Sequence, residues 1–251
     1  MLRSVVKPPV AWLTIDRPDK LNAMSREFFR LLATEIGRAE DDDDVRVIVL
    51  HGEGRCFSVG GDILAFAGLE GDADRRAYVR EALWSFRRVE ECAKPTIAAV
   101  HGHALGGGCE LTLVCDLVVA DETARFALPE TSVGLAPGPG LVRAGAHLGL
   151  HRLKHLILTG AVLDAEEARD AGLVNEVVPS GTHLERAEEL ARMIAARAPV
   201  ALAAAKAFLT GGAWDRYQHA VDTVALLQGS EDAGEGVAAF SEKRSPVFTG
   251  R

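Results

Sequence analysis

Residues that build metal centres and disulfide frameworks are scarce in this chain. Its 251 residues include only four cysteines, none spaced as a C-x-x-C pair or a zinc motif. We therefore predict reduced, buried thiols in a cytoplasmic protein. His101 and His103 could place two imidazoles on one side of a strand, but no carboxylate or cysteine cluster accompanies them. The sequence thus predicts no metal site.

An excess of basic residues is also lacking. Lysine and arginine number 28 against 36 aspartates and glutamates, giving a net charge of −8. This balance argues against nucleic acid and anionic membranes as partners, because both attract basic surfaces. The best candidate for a membrane span, 96–120, is interrupted by His101, His103, Glu110 and Asp116. No signal peptide is predicted, because the N-terminus has no long apolar segment.

Strand and helix patterns alternate over the first 180 residues and are then replaced by helical patterns. Apolar periodicity and turn residues predict the segments. The fold class predicted from this order is an α/β core followed by a helical C-terminal region. The predicted strands are Val10–Ile15, Val45–Leu50, Cys56–Val59, 96–101, Leu117–Ala120, Ala124–Leu128 and Leu173–Val178. The predicted helices are 25–40, 74–92, 141–148, 150–159, 164–170, 182–197, 199–209, 213–228 and 231–243, with a helix after the 106–108 glycines and a loop at 68–75.

Three consecutive glycines, 106–108, follow the predicted strand at 96–101 and precede a buried helix. Backbone N–H groups at such a junction favour negative charge, although glycines there also permit close packing alone. Glu110 comes just inside the helix, among apolar neighbours. A carboxyl group in an apolar setting retains its proton near neutral pH, as an acid/base catalyst requires. The segment therefore indicates an oxyanion site with a nearby proton carrier.

Glu130 is a second candidate catalyst, placed between Pro129 and a loop rich in glycine and proline. A glutamate in such a loop is commonly exposed to solvent, so exposure is the alternative interpretation. Spacing along the chain leaves open whether Glu110 and Glu130 meet.

Several other catalytic motifs are excluded. The glycine triplet is not followed by Lys-Ser or Lys-Thr, so it is not a phosphate-binding P-loop. It also lacks the G-x-G-x-x-G pattern of dinucleotide-binding folds. Ser58 lacks the first glycine of the G-x-S-x-G motif of serine hydrolases.

The chain resembles the crotonase family of enoyl-CoA hydratases and isomerases over essentially its full length. The matching segments, in order, are Leu13–Met24, Val47–Leu50, Phe57–Ile63, Lys94–Leu111 and Phe126–Glu130. The resemblance implies a spiral of ββα units with C-terminal helices that assemble trimers or hexamers. It further implies a catalytic core over residues 1–195 and a helical oligomerisation region over residues 196–251.

The resemblance also implies a site for an acyl-CoA thioester, with CoA as part of the substrate and no other cofactor. The backbone N–H groups of Gly61 and Gly107 are expected to hold the thioester oxygen. Glu110 is expected to direct water to C3, and Glu130 to protonate C2. The remaining substrate and CoA contacts implied by position are Lys20, Leu21, Ala23, Gly60, Asp62, Ile63, Leu64, and Phe240 and Lys243 from a neighbouring subunit.

Some positions depart from the family pattern. Gly61 replaces the usual alanine, and Val59 is larger than the usual residue. In the loop after Glu130, Pro139 removes an N–H group and Leu141 is expected to fill space that glycine would leave open. These departures leave open which acyl group the substrate carries.

The function predicted is hydration of a trans-2-enoyl-CoA. An isomerase of the same family is the alternative. A noncatalytic RNA-binding relative is disfavoured by the net charge and by the presence of both glutamates.

Overall fold

The computed structural model describes residues 1–63, 65, 71–210 and 231–251. Nine strands are described: β1 Leu2–Lys7, β2 Val10–Ile15, β3 Val47–Gly52, β4 Thr96–Val100, β5 His103–Leu105, β6 Leu117–Asp121, β7 Arg125–Ala127, β8 Leu163–Asp164 and β9 Glu176–Val178. The α-helices within the described ranges are α1 Arg26–Asp41, α2 Gly71–Glu91, α3 Gly107–Leu113, α4 Pro139–Leu148, α5 Leu150–Thr159, α6 Ala165–Ala171, α7 His183–Ala195, α8 Pro199–Thr210 and α9 Glu231–Glu242. Short 3₁₀ helices span Pro18–Lys20 and Glu130–Val133.

The larger sheet has six strands in the order β1-β2-β3-β4-β6-β9. Only β1 is antiparallel to its neighbour; the remaining pairs are parallel. The central strands are continuous apolar runs because both of their faces are covered. Phe28, Leu32 and Ile36 of α1 belong to the main core on one face. Ala187 and Leu190 of α7 belong to a second core on the other face.

The smaller sheet has the order β5-β7-β8 and carries the chain toward the glycine triplet. Between β4 and β5 the chain bends at Gly102, which has a φ of +56°. A Cβ atom there would overlap the carbonyl oxygen of Arg55, so no other residue fits this bend. The bend moves the chain from the larger sheet to the smaller one, and β5 ends directly before Gly106.

Helix boundaries follow the capping residues in the sequence. Ser25 accepts a hydrogen bond from the Phe28 N–H at the start of α1. Asp164 and Glu167 form a reciprocal capping box at the start of α6, and Gly172 ends that helix with a φ of +88°. These helices confirm the sequence predictions for 25–40 and 164–170.

Other predictions were wrong. Cys56–Val59 is not a strand, because it makes only an isolated bridge between Ser58 and Ala104. The loop predicted at 68–75 is helical from Gly71 onward. Strand β1 was not predicted, because it lies at the sheet edge and five of its six residues are exposed. The helix predicted at 213–228 lies outside the described residues.

The C-terminal helices begin after α7 ends at Ala195, the predicted limit of the core. Lys206 of α8 forms an ion pair with Asp116 at 2.6 Å and donates a hydrogen bond to the Lys94 carbonyl. The division at residue 195 stays a prediction. In the part of the chain that the structure describes, no single helix is long and apolar enough to cross a bilayer. Only α7 and α8 taken together meet both criteria, and the chain bends by 110° between them.

Candidate active site

Two glycine pairs from distant parts of the chain lie side by side. A Cβ atom at Gly60 would come within 2.8 Å of the Gly107 nitrogen, and one at Gly107 would lie 3.5 Å from the Gly61 nitrogen. Gly60 has a φ of +91° and Gly106 one of +52°, conformations that side chains disfavour. The glycines therefore allow the two backbones to approach each other closely.

The N–H groups of Gly61 and Gly107 are available to a ligand. Met24 accepts a hydrogen bond from the Asp62 N–H and donates one to the Gly60 carbonyl, so it pairs with the residues on either side of Gly61. In an extended segment this pairing directs the Gly61 N–H away from Met24. Gly107 is the first residue of α3 and has no preceding helical turn to accept its N–H. Neither group donates a hydrogen bond to any described residue.

Glu110 lies in the first turn of α3 and is only 6% exposed. Its Oε1 atom accepts a hydrogen bond from the Gly140 N–H at 2.9 Å. Burial raises the pKa of Glu110 to about 7, and the nearby charge of Glu130 contributes in the same direction. Hydrogen bonds from the backbone of Gly140 and Gly138 oppose this rise only in part. The carboxyl group can therefore gain or lose a proton near neutral pH.

Glu130 begins the 3₁₀ helix that follows β7. Its two carboxyl oxygens are buried and have no hydrogen-bond partner among the described residues. Burial raises the pKa of this carboxyl above its usual value. The Oε1 atom lies 3.1 Å from the position of a Cβ at Gly106, directly beside the glycine triplet. The alternative that Glu130 is exposed to solvent is wrong.

Both glutamates border one cavity of about 330 Å³, together with Gly61, Gly106 and Gly107. Most of its remaining lining is apolar and comes from α2 and from the loop between Pro129 and Pro139. The sequence left open whether Glu110 and Glu130 meet, and the structure brings them to the same cavity. The lining residues are Phe29, Val59, Gly61, Ile63, Tyr78, Val79, Ala82, Leu83, Phe86, Gly106, Gly107, Glu110, Pro129, Glu130, Ser132, Val133, Leu135, Ala136, Gly138 and Pro139.

Hydrogen bonds hold the loop that contains Lys20, Leu21 and Ala23 beside the Gly60–Asp62 segment. The fully buried Asn22 of this loop donates hydrogen bonds to the carbonyls of Glu53 and Cys56. The Leu21 carbonyl accepts the Val59 N–H at 3.1 Å. Lys20 is exposed, so its ammonium group faces solvent at the edge of this loop.

Asp62 and Ile63 continue the Gly60–Gly61 segment. The Asp62 carboxylate forms an ion pair with Arg17 at 2.6 Å, which joins this segment to the Lys20 loop. Ile63 is 58% exposed and borders the cavity. Leu64 and the side chain of Phe240 lie outside the described residues. Lys243 is exposed just after α9 and does not border the cavity of its own chain.

Helix α2 supplies cavity residues that the sequence analysis missed. Tyr78, Ala82 and Phe86 recur every four residues and form one face of the helix. This spacing predicts a buried face but does not say what it packs against. Burial raises the pKa of Tyr78 to about 12, so its hydroxyl keeps its proton.

Three of the departures from the family pattern border the cavity, namely Val59, Gly61 and Pro139. Leu141 lies outside the cavity lining and is 55% exposed on α4. The expectation that Leu141 fills space in the site is therefore wrong for this chain.

Comparisons with known proteins identify the family of this chain. The family model described as enoyl-CoA hydratase/isomerase matches residues 6–251. The chain belongs to the enoyl-CoA hydratase/isomerase family. The chain is 39% identical to the 2,3-dehydroadipyl-CoA hydratase of Escherichia coli K12, with 96% of each chain covered. It is 36% identical to the short-chain-enoyl-CoA hydratase of Clostridium acetobutylicum, covering 94% of this chain and 92% of the relative.

Solved structures of the family have the same fold. The enoyl-CoA hydratase of Bacillus anthracis superposes with a TM-score of 0.94 at 32% identity, covering 100% of this chain and 99% of that one. The prediction of a crotonase-like α/β fold is confirmed. Within the described ranges, no three His, Cys, Asp or Glu side chains are grouped to hold a metal ion.

Proposed function

We propose that this protein is an enoyl-CoA hydratase that adds water across the C2=C3 bond of a trans-2-enoyl-CoA. The observation that carries the proposal is that two unpaired backbone N–H groups and the buried carboxyl groups of two glutamates border one cavity. The Gly61 and Gly107 N–H groups would bind the thioester oxygen, where negative charge develops during addition. Backbone donors suit this task because they do not titrate.

The two glutamates would move the protons. Glu110, ionised, would accept a proton from water as the water oxygen bonds to C3 and the electron pair of the double bond shifts toward the thioester oxygen. Glu130, protonated, would then donate a proton to C2 as the carbonyl reforms. Water is thereby added as hydroxyl at C3 and hydrogen at C2, with Glu110 left protonated and Glu130 ionised until a proton returns between them.

The raised pKa values suit both carboxyl groups to proton transfer near neutral pH. A carboxyl group with a pKa of about 7 is a stronger base than an ordinary glutamate and is still ionised in a useful fraction at neutral pH. The Glu130 oxygens have no protein partner in the described chain, so they are free to bond water or substrate. The Lys20–Ala23 loop and the adjoining Gly60–Ile63 segment, with Leu64, are proposed to contact the CoA portion. Phe240 and Lys243 would do so from a neighbouring subunit.

An isomerase is the second candidate, because one relative at 36% identity is named enoyl-CoA isomerase/hydratase fer4, from Mycosarcoma maydis. Isomerisation needs one proton carrier between C2 and C4, whereas hydration needs a base for water and an acid for C2. The presence of two buried carboxyl groups favours hydration. Trimeric or hexameric assembly and a cytoplasmic location remain predictions.

The test is turnover of a panel of trans-2-enoyl-CoA and trans-3-enoyl-CoA thioesters, followed by mass spectrometry. A hydratase converts the first class to products heavier by one water, whereas an isomerase converts the second class without a change in mass. We expect Glu110→Gln and Glu130→Gln each to lower kcat by roughly 10²–10⁴-fold.

Glu122→Gln provides the control, because Glu122 is exposed and lies outside the cavity lining. It should retain wild-type activity. Hydration that persists at the wild-type rate in either cavity variant would remove that glutamate from the mechanism.

A further inference from the structure

None of the described residues that line the cavity carries a positive charge. Among the described lining residues the only ionised or acidic groups are Glu110 and Glu130, apart from the phenol of Tyr78. Apolar lining is supplied by Phe29 of α1 and by Ala82, Leu83 and Phe86 of α2. Residue 64 and residues 66–70 are Leu and Phe-Ala-Gly-Leu-Glu, which contain no lysine, arginine or histidine.

The arginines of α2 belong to a different surface. Arg75, Arg76, Arg80 and Arg87 line a groove outside the helix, together with Trp84. None of them borders the cavity. The helical period separates the two sets, since Tyr78, Ala82 and Phe86 form the inner face and the arginines lie on other sides of the helix.

Leu83 divides the cavity from this outer groove. It borders both spaces, as does Val79, and it is 40% exposed. On the inner side, its Cδ2 atom lies 2.8 Å from the position of a Cβ at Gly138, so it is packed against the Pro129–Pro139 loop. An acyl chain that extends from the glutamates toward α2 therefore meets Leu83 before it reaches any arginine.

We propose that this site accepts acyl groups with an uncharged distal end and rejects those that end in a carboxylate. The inference rests on the proposed function, because it concerns the acyl group of the same thioester. A distal carboxylate in this cavity would lose water without gaining a cationic partner, and burying an unpaired charge is costly. The two glutamates would also repel it whenever they are ionised.

The volume agrees with an acyl group of short to medium length. An apolar cavity of roughly 150 Å³ is enough to hold a six-carbon benzene ring. The 330 Å³ present here must contain the thioester, the attacking water and the acyl chain. A six-carbon chain is therefore a suitable probe length.

The test compares two thioesters of equal carbon number, trans-2-hexenoyl-CoA and 2,3-dehydroadipyl-CoA, which differ by the terminal carboxylate. We expect kcat/KM of the wild-type protein to be higher for the first by roughly 100-fold. In calorimetric titrations of the saturated analogues, hexanoyl-CoA should likewise bind more tightly than adipyl-CoA. A preference for adipyl-CoA, or equal binding of the two, would overturn the inference.

The binding measurement separates the two proposals. If neither enoyl thioester is hydrated, the proposed function fails, while the ratio of the two binding constants still decides the inference about the acyl group. If hydration occurs but both substrates react equally well, only the inference fails.

Leu83→Arg is the decisive variant, with Leu83→Met as its uncharged control. Arginine at this half-exposed position should pair with the distal carboxylate, and so reduce or reverse the preference for hexenoyl-CoA over dehydroadipyl-CoA. Methionine should preserve that preference. An unchanged preference in Leu83→Arg would contradict the placement of Leu83 at the distal end. Loss of dehydroadipyl-CoA activity in Arg76→Gln with Arg80→Gln would also overturn the inference, because it would assign the carboxylate to the outer groove.

Discussion

The Glu110 carboxylate accepts a hydrogen bond from the Gly140 N–H at 2.9 Å, across a separation of 30 residues. Glu110 belongs to α3, and Gly140 lies in the first turn of α4, where backbone N–H groups have no helical partner. The bond orients the carboxyl group toward the cavity and favours its ionised form. Burial outweighs this effect, so the pKa stays raised to about 7.

The first prediction concerns the pH dependence of turnover. If Glu110 acts as the base, it must be ionised, so kcat/KM should fall as pH decreases through about 7. In Glu130→Gln, the residual activity should fall at a lower pH, because the charge of Glu130 contributes to raising the pKa of Glu110. A pH–rate profile of both proteins measures the shift. An acid limb near the usual glutamate value in the wild type would contradict the assignment of Glu110 as base.

The second prediction concerns the stability of Glu110→Gln. A carboxyl group whose pKa is raised on folding favours the folded state below its unfolded pKa and loses that contribution as pH rises through the folded value. The variant should therefore be more stable than the wild type at pH 8, by up to about 3 kcal/mol, with the difference shrinking between pH 7 and about 4.5. Urea unfolding at several pH values measures this difference.

Glu122→Gln serves as the control for that series, because it changes an exposed carboxyl on the surface. It should show no comparable gain at pH 8. If Glu110→Gln is instead less stable than the wild type throughout this pH range, the cost of burying the Glu110 charge has been overestimated. Greater stability with lower activity would identify Glu110 as a residue retained for chemistry rather than for folding.

The third prediction compares two helical glycines. A Cβ atom at Gly108 would overlap the backbone carbonyl of Ser58, whereas one at Gly145 would lie 3.7 Å from Leu153 Cδ2, an ordinary contact. Gly108→Ala should therefore lower the free energy of unfolding by about 1–3 kcal/mol or more and displace the segment that carries Gly61. Gly145→Ala should be neutral or stabilising by up to about 1 kcal/mol. Thermal unfolding of both variants, with turnover rates, distinguishes them; equal melting temperatures would contradict the close approach at Gly108.

Local sequence patterns predicted the elements whose burial can be read from their own residues. β2 was predicted with its observed bounds, and α1 was predicted from Ser25 as its N-cap, because apolar runs and capping residues act within a few residues. β1 was missed since its pairing with β2 leaves most of its side chains exposed at the edge. Prediction therefore failed where a segment becomes a strand because of the neighbouring strand it pairs with, and not because of its own residue pattern.

The candidate site shows the same limit. The glycine triplet and Glu110 were identified from one continuous segment, but the burial of Glu130 depends on how distant segments enclose it. The cavity wall on α2 was missed because Tyr78 and Phe86 indicate a buried face without indicating the space beside it. The role of Asn22 in holding the Lys20 loop was not predicted, because its two hydrogen-bond acceptors lie more than 30 residues away.

The last prediction concerns His183, which begins α7 and stacks on His101 with ring centroids 4.7 Å apart. Burial lowers the pKa of His183 to about 4, so the unfolded chain binds this proton more readily. The wild type should therefore lose stability relative to His183→Gln as pH falls from about 6.5 to about 4, on the order of 2 kcal/mol over that range. Because Glu110 changes stability in the opposite direction over part of this range, the difference between the two proteins is the informative quantity. The exposed His155→Gln should show no such difference, and parallel curves for wild type and His183→Gln would contradict a buried, neutral His183.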